Sequence, residues 1–200
     1  MERLQDRFRA AHTVVLGVSV DSVFSHAAWA QGLGGISFPL LADFHPKGEV
    51  AAAYGLYLED SGKTDRATVI VDAGGVVRHA SSVTPDGERD IEELAALCEE
   101  VDGAYEGKLE EIPDPPGLEK GATLYVKTRC GFSAYTLRAR ENVHLQDVLP
   151  VKNITEDAAA RAELEKLAGK LQAPCLVIDG EPMFESAAII SHLVSRATSL

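Results

Sequence analysis

A cysteine that closely follows an apolar, β-branched run is the residue of this sequence best suited to chemistry. The run ATLYVK (122–127) is typical of a buried strand, and Cys130 stands between it and a helical pattern over about residues 131–143. The free N–H groups and the dipole at the start of a helix stabilise a thiolate, and Lys127 and Arg129 add positive charge nearby. Because the thiolate is the nucleophilic form of cysteine, we expect Cys130 to be reactive; the alternative is a surface cysteine without a role.

The other two cysteines are predicted to be buried in the core. Cys98 falls on the apolar stripe of a predicted helix, and Cys175 follows Pro174 inside an apolar strand. Three widely separated cysteines supply neither a disulfide framework nor the paired ligands of a zinc site, so we predict no metal site. A reducing, cytoplasmic compartment is the default expectation.

Composition excludes two classes of partner. The chain has 200 residues, 46% of them apolar, and a formal net charge of -12. Nucleic acids and anionic lipids both require clustered Lys and Arg, so we expect neither as a partner. No apolar run approaches the roughly 20 residues of a membrane span. The stretch Thr13 to Val20 is predicted to be a strand and not a signal peptide.

A Pro-rich acidic segment over residues 106–121 divides the chain. It reads EGKLEEIPDPPGLEKG, has no apolar periodicity, and contains three prolines that fix φ and remove donors. We therefore predict a first domain over residues 1–105, a linker over 106–121 and a second domain over 122–200.

The two predicted domains share one architecture. The first has the order β-α-α-β-β-α, opening with a buried parallel strand over residues 13–21. The second has the order β-α-β-α-β-β-α, and both end in strand, turn, strand and helix. The fold class is therefore α/β.

The segment KTRCGFS (127–133) resembles the active-site segment of glutaredoxins, which have a thioredoxin-like fold. In that family a lysine precedes the nucleophile by three residues and an aromatic follows it by two, positions that Lys127 and Phe132 occupy around Cys130. The resemblance implies a thiol–disulfide oxidoreductase with glutathione as co-substrate. It assigns Lys127 and Phe132 to the glutathione site.

Two further pairs extend this resemblance. Ala173 and Pro174 stand where the family carries a cis-proline whose neighbouring backbone pairs with the cysteine of glutathione. Glu185 and Ser186 resemble the Glu-Ser pair of glutathione transferase N-terminal domains, which holds the γ-glutamyl end of glutathione. The chemistry agrees, because a serine at a helix start suits a carboxylate and a glutamate suits an ammonium group.

One departure restricts the chemistry. Ser133 replaces the second cysteine of the dithiol motif, so the resemblance implies a monothiol centre that glutathione resolves. The tetrapeptide at 130–133 also equals the motif of monothiol glutaredoxins that hold a [2Fe–2S] cluster between two subunits. A glutathione-liganded cluster carrier is therefore an alternative, although the Glu-Ser pair favours the transferase-type branch.

The first domain resembles the peroxiredoxin (AhpC/TSA) family in several blocks, namely VVLGVSVDS (14–22), AAWA (27–30), FPLLAD (38–43), PKGEVAAAYG (46–55) and TDRATVIVDAGGVVRHA (64–80). In that family the arginine before the TVIVD-like strand, here Arg66, supports the peroxidatic thiolate and the peroxide. An always-charged guanidinium with several donors suits this role. The resemblance therefore implies a second thioredoxin-like domain.

The catalytic block of that family is absent. A peroxiredoxin carries a Pro, a Thr and its peroxidatic Cys ahead of the helix that MERLQDRFRAAH resembles, so the first domain is expected to be N-terminally truncated. Without the preceding central strand, the sheet must close up, stay open or recruit a partner. A truncated reading frame and genuine degeneration both explain this.

Together the resemblances imply a thiol-based antioxidant oxidoreductase, a glutathione-dependent peroxiredoxin–glutaredoxin fusion that reduces peroxides or disulfides. The chain lacks the peroxidatic Cys, so only the glutaredoxin step is expected in it. Homo-oligomers are a further expectation. A non-catalytic binding module, with the first domain as a dimerisation surface, is the remaining alternative.

Overall fold

The computed structural model describes residues 1–199 and divides the chain into two compact units. The first unit comprises Met1–His26 and Phe38–Ile112, and the second comprises Ala27–Ser37 and the chain from Pro113 onward. Residues 27–37, which the sequence assigns to the first domain, thus group with the second unit. No helix among the described residues combines the length and the apolar character that crossing a bilayer requires.

The first unit begins with a turn of 3-10 helix and contains short strands among four helices, of which the second continues past the unit boundary. Its elements are Glu2–Leu4 (3-10), α1 (Gln5–Ala10), β1 (Gly17–Ser19), α2 (Val23–Gly32), β2 (Leu40–Ala42), α3 (Glu49–Ala53), β3 (Tyr57–Leu58), β4 (Lys63–Thr64), β5 (Ala67–Val71), β6 (Val77–Ser82) and α4 (Ile91–Gly103). The core joins α1 and α4 to β5 through Phe8, Ala11, Ile70, Ala95 and Cys98.

The strands of the first unit form separate pairs instead of one sheet. Within residues 1–199, β1 pairs only with β2, in parallel, and β5 pairs only with β6, antiparallel. The predicted buried strand over residues 13–21 was wrong in extent and in burial, since it shortens to β1 and leaves Val14 and Leu16 about half exposed, at 48% and 54%. The reason is that one edge of β1 has no strand beside it. Within residues 1–199 the strands have therefore not closed up into one sheet.

The second unit contains one four-stranded sheet with helices on both faces. After its α2 portion, its elements are β7 (Thr123–Val126), α5 (Gly131–Asn142), β8 (Val151–Asn153), α6 (Ala158–Ala168), β9 (Cys175–Ile178), β10 (Glu181–Met183) and α7 (Ser186–Ala197). The strand order is β10-β9-β7-β8, with β7 and β8 parallel and the other pairs antiparallel. The predicted element order for this domain is confirmed.

Alternation along the central strands creates two cores. Leu124 and Val126 on β7 face the cluster that includes Ile189 and Leu193 of α7. Tyr125, between them, faces the opposite cluster, which joins the sheet to α6 through Ala160, Leu164, Cys175 and Val177. Because side chains alternate across a strand, β7 is buried on both faces and rigidly places whatever follows it.

Part of the acidic segment is attached to the second unit. Leu118 packs against the α7 core, and the N–H of Gly117 donates to the carbonyl of Arg196 at 2.9 Å. The Glu119 carboxylate is hydrogen-bonded to His192 at 3.1 Å and forms an ion pair with Arg196, whose Nε lies 3.1 Å from its other oxygen. From Pro113 onward this segment therefore belongs to the second unit instead of spanning freely between the two.

Candidate active site

Cys130 stands where β7 ends and α5 begins. It is the N-cap residue of α5, with extended backbone, and its side chain is partly exposed. Arg129 before it has a φ of 54°, a left-handed conformation that turns the chain sharply out of the sheet. The predicted geometry of strand, cysteine and helix is thus what the structure has.

Ser133, the third residue of α5, has the largest effect on the pKa of the Cys130 thiol. Its side chain is 1% exposed, and its Oγ accepts the main-chain N–H of Lys127 at 3.1 Å. Hydrogen bonds from the Ser133 hydroxyl and main-chain N–H, followed by the N–H of Phe132, hold the pKa of Cys130 below its ordinary value. Hydrogen bonds to the charged form of a group favour that form, so this site stabilises a thiolate.

The cations have a smaller part in this than the sequence suggests. The charge of Lys127 lowers the pKa of Cys130 less than the hydrogen bonds from Ser133 and Phe132 do. The Nζ of Lys127 instead donates to the carbonyl of Leu171 at 2.7 Å. Lys127 therefore connects the segment that carries Cys130 to the loop that precedes β9.

That loop brings a second predicted pair to the thiol. The peptide bond between Ala173 and Pro174 is cis, and the Cys130 sulfur lies 3.8 Å from the carbonyl oxygen of Ala173, within reach of a weak S–H donation. Phe132 is 66% exposed at the start of α5. An exposed aromatic beside a reactive thiol offers an apolar surface to a substrate.

Glu185 and Ser186 lie at the start of α7, as predicted from their spacing. Glu185 is the exposed N-cap residue, with a φ of 68°, and Ser186 is the first helical residue. One carboxylate oxygen of Glu185 accepts from the side-chain amide of Gln172 at 3.0 Å. The sequence analysis did not identify Gln172, although its position two residues before the predicted cis-proline could have indicated it.

A polar cluster on the other side of the turn was also missed. Thr128 accepts from the amide of Asn153 at 2.8 Å and donates to the Glu156 carboxylate, while its N–H donates to Thr155 at 3.2 Å. The carboxyl ends of parallel β7 and β8 meet here, which is why residues distant in sequence converge. These bonds fix the turn that presents Cys130.

The remaining cysteines are buried, as predicted. Cys175 is completely buried beside Tyr125 and Leu164, and burial raises its pKa to about 11. Cys98 is 5% exposed in the α1–α4 core, and burial is the main reason that its pKa is raised. Neither thiol is disposed to ionise at neutral pH.

Arg66 lies in the first unit, exposed, immediately before β5. Among the described residues of the first unit, no carboxylate forms an ion pair with its guanidinium. Its positive charge and, more strongly, burial lower the pKa of Arg89, whose guanidinium donates to Thr68 and to the carbonyl of Ala67 at 3.0 and 2.7 Å. The unit thus places two arginines together, and sequence reasoning had found one.

The described residues contain no group of three or more His, Cys, Asp or Glu side chains arranged to hold a metal ion. One chain offers a single accessible thiol, Cys130, whereas an iron–sulfur cluster takes four ligands, mostly thiolates.

Comparison with known proteins assigns the two parts of the chain separately. Residues 1–80 match the family model of the AhpC/TSA family, and residues 122–183 match that of glutaredoxin. Peroxiredoxin-4 of Bos taurus is 36% identical over 136 residues, covering 65% of this chain and 48% of that protein. Alkyl hydroperoxide reductase E of Mycobacterium bovis is 36% identical over 104 residues, covering 48% of this chain and 67% of that protein.

Among solved structures, Mycobacterium bovis AhpC aligns with a TM-score of 0.47 at 30% identity, covering 52% of this chain and 58% of that one. The chain spans about half the length of Peroxiredoxin-4 and similar curated relatives that it matches.

The chain has two α/β parts, and the second presents a partly exposed thiol at the start of a helix. The chain belongs to the AhpC/TSA peroxiredoxin family in its N-terminal part and carries a glutaredoxin domain in its C-terminal part. These are families of peroxidases and thiol–disulfide oxidoreductases.

Proposed function

We propose that this chain is a glutathione-dependent, monothiol thiol–disulfide oxidoreductase that works through Cys130. The observation that carries the proposal is the partly exposed thiol at the start of α5, with its pKa lowered by Ser133. The other thiol of the same unit, Cys175, is buried and has a raised pKa.

The reaction proceeds in two exchanges. The Cys130 thiolate attacks the glutathione sulfur of a mixed disulfide, the old S–S bond breaks, and the released thiolate takes a proton from water. A second glutathione, as its thiolate, then attacks the glutathione sulfur bound to Cys130. Glutathione disulfide leaves and the Cys130 thiolate returns, so each turnover consumes one free glutathione and exchanges the mixed disulfide for the substrate thiol and glutathione disulfide.

The neighbouring residues supply the glutathione site in this proposal. Glu185 offers a carboxylate to the ammonium of the γ-glutamyl end, and Ser186 and the N–H groups at the start of α7 suit its carboxylate. The loop before Pro174 offers main-chain groups beside the thiol, and Lys127, whose Nζ donates to the Leu171 carbonyl of that loop, supplies a cation. Phe132 provides apolar contact.

The test is the reduction of the mixed disulfide of glutathione and 2-mercaptoethanol, followed as NADPH oxidation through glutathione reductase. We expect activity in the wild-type chain, none in Cys130→Ser, and full activity in the control Cys98→Ala. Turnover that survives in Cys130→Ser would overturn the proposal.

The two arginines of the first unit suggest peroxide as a substrate of the peroxiredoxin-like part. Arg66 and Arg89 suit a peroxide or its thiolate partner, yet the cysteine of that unit, Cys98, lies in the core. We therefore expect no peroxide consumption by this chain alone. Peroxide consumption that vanished in Cys130→Ser would contradict this part of the proposal.

A further inference from the structure

Gln172 joins two charged residues of the candidate glutathione site. Its amide Nε2 donates to the Glu185 carboxylate at 3.0 Å, and its Oε1 accepts from the ammonium of Lys170 at 3.0 Å. Lys170 in turn lies over the ring of Phe184, 3.7 Å from the ring centre. Phe184 packs against the core cluster beneath α6.

This chain of contacts determines the orientation of the Gln172 amide. An ammonium group only donates, so the oxygen of the amide must face Lys170. The NH2 group must then face Glu185, because a carboxylate only accepts. Gln172 is half-buried and directly follows Leu171. Because the Leu171 carbonyl accepts a hydrogen bond from Lys127, the backbone beside Gln172 is also restrained.

Glu185 needs such support. Its backbone φ is 68°, in the left-handed region that is unfavourable for a non-glycine residue, and its side chain is exposed. An exposed glutamate without a partner samples many rotamers. The bond from Gln172 occupies Oε1, while Oε2 has no partner among the described residues.

We infer that Gln172 is a positioning residue that holds Glu185 so that its second carboxylate oxygen is available to the ammonium group of glutathione. Gln172 acts through Glu185 and does not itself take part in sulfur chemistry. The inference rests on the proposed function, since it assigns the substrate amine to Glu185.

The test compares glutathione with its N-acetylated analogue, which lacks the ammonium, in the mixed-disulfide assay. Gln172→Met keeps the length of the side chain but removes both hydrogen bonds. We expect KM for glutathione to rise about fivefold, as one hydrogen bond predicts, with kcat unchanged and KM for the analogue unchanged. Gln146→Leu, at an exposed glutamine of the same unit, is the control.

A double-mutant cycle tests whether Gln172 affects glutathione binding through Glu185. In the Glu185→Gln background, Gln172→Met is expected to change KM for glutathione by less than twofold, because the residue that it positions has lost its charge. Calorimetric titration of glutathione into Cys130→Ser protein, with and without Gln172→Met, gives the same comparison without turnover. Equal losses for glutathione and its analogue, or additive effects in the cycle, would show a structural role and overturn the inference.

The two proposals fail differently. A wild-type chain without Cys130-dependent turnover would refute the proposed function. A fully active wild type with an unaffected Gln172→Met variant, or one with a lowered KM, would refute only the positioning role.

Discussion

The main-chain N–H of Lys127 donates to the Oγ of Ser133 at 3.1 Å. Because that bond occupies a lone pair of the hydroxyl, its proton remains available to the sulfur of Cys130. The Ser133 hydroxyl is the largest recorded cause of the lowered pKa of Cys130. A residue that replaces a second thiol therefore activates the first one.

Replacing Ser133 with alanine is expected to raise the pKa of Cys130 towards its ordinary value, since the main-chain N–H donors remain but the hydroxyl is lost. The rate of alkylation by iodoacetamide, measured against pH, should reach its midpoint at a higher pH. The control is Ser195→Ala, at an exposed serine on α7. An unchanged midpoint would show that the hydroxyl does not stabilise the thiolate.

Lys127→Met is expected to move the same alkylation midpoint less than Ser133→Ala does. The charge of Lys127 lowers the pKa of Cys130 less than the hydrogen bonds from Ser133 and Phe132 do, and its Nζ is committed to the Leu171 carbonyl. Lys120→Met, at an exposed lysine of the same unit, serves as the control. A larger shift in Lys127→Met than in Ser133→Ala would reverse the order of causes proposed here.

Iodoacetamide is expected to label the native chain once, at Cys130, at neutral pH. Cys175 is completely buried and its pKa is raised to about 11, while Cys98 is 5% exposed and its pKa is also raised. Mass spectrometry of the intact chain should show one adduct in buffer and three in denaturant. Early labelling of Cys175 would mean that the sheet and α6 open more readily than their packing implies.

Glu119→Gln is expected to lower the free energy of unfolding at neutral pH by roughly 0.5–1 kcal/mol, because the carboxylate pairs with His192 and Arg196. Burial alone would raise the pKa of Glu119, but its own main-chain N–H, His192 and Arg196 together lower it below 4.5. A depressed carboxyl pKa gives stability that is complete above the ordinary value and lost as pH falls through the folded value. Thermal unfolding curves of the two proteins should therefore converge in strongly acidic solution. A constant gap down to acid pH would contradict a role for the charge.

The second unit was predictable from sequence because its local patterns and its packing agree. The alternation along β7 serves two cores, and the acid at Asp157 caps α6 through the N–H groups of Ala159 and Ala160. Cys130, Pro174 and Ser186 each fall at an element boundary, where spacing in sequence fixes position in space.

The first unit was less predictable because strand burial depends on neighbours that a local pattern does not specify. The apolar run around Val14 and Leu16 has the composition of a fully buried strand, yet it pairs on one edge only. The small hairpin of β3 and β4 has too few residues to produce a periodic signal.

Side-chain bonds between distant segments were not predictable either. Gln172 contacts Glu185, thirteen positions later in the sequence, because β9 and β10 form an antiparallel hairpin. The hairpin places the residues before β9 next to the start of α7. Likewise, the hydrogen bond from Lys127 to the Leu171 carbonyl depends on the position of the loop after α6. The sequence identifies charged residues near the thiol, but it does not show which hydrogen-bond acceptors they contact in the folded chain.

Ser133 also determines how the centre recovers once Cys130 is oxidised. A neighbouring thiol would close a ring within the same molecule at a rate independent of concentration, whereas a hydroxyl cannot form a disulfide. The other thiol of this unit, Cys175, is buried in the core against α6. On the proposed function, regeneration is therefore expected to be a second-order process, so that the fraction of reduced Cys130 rises with the concentration of free thiol in the surroundings.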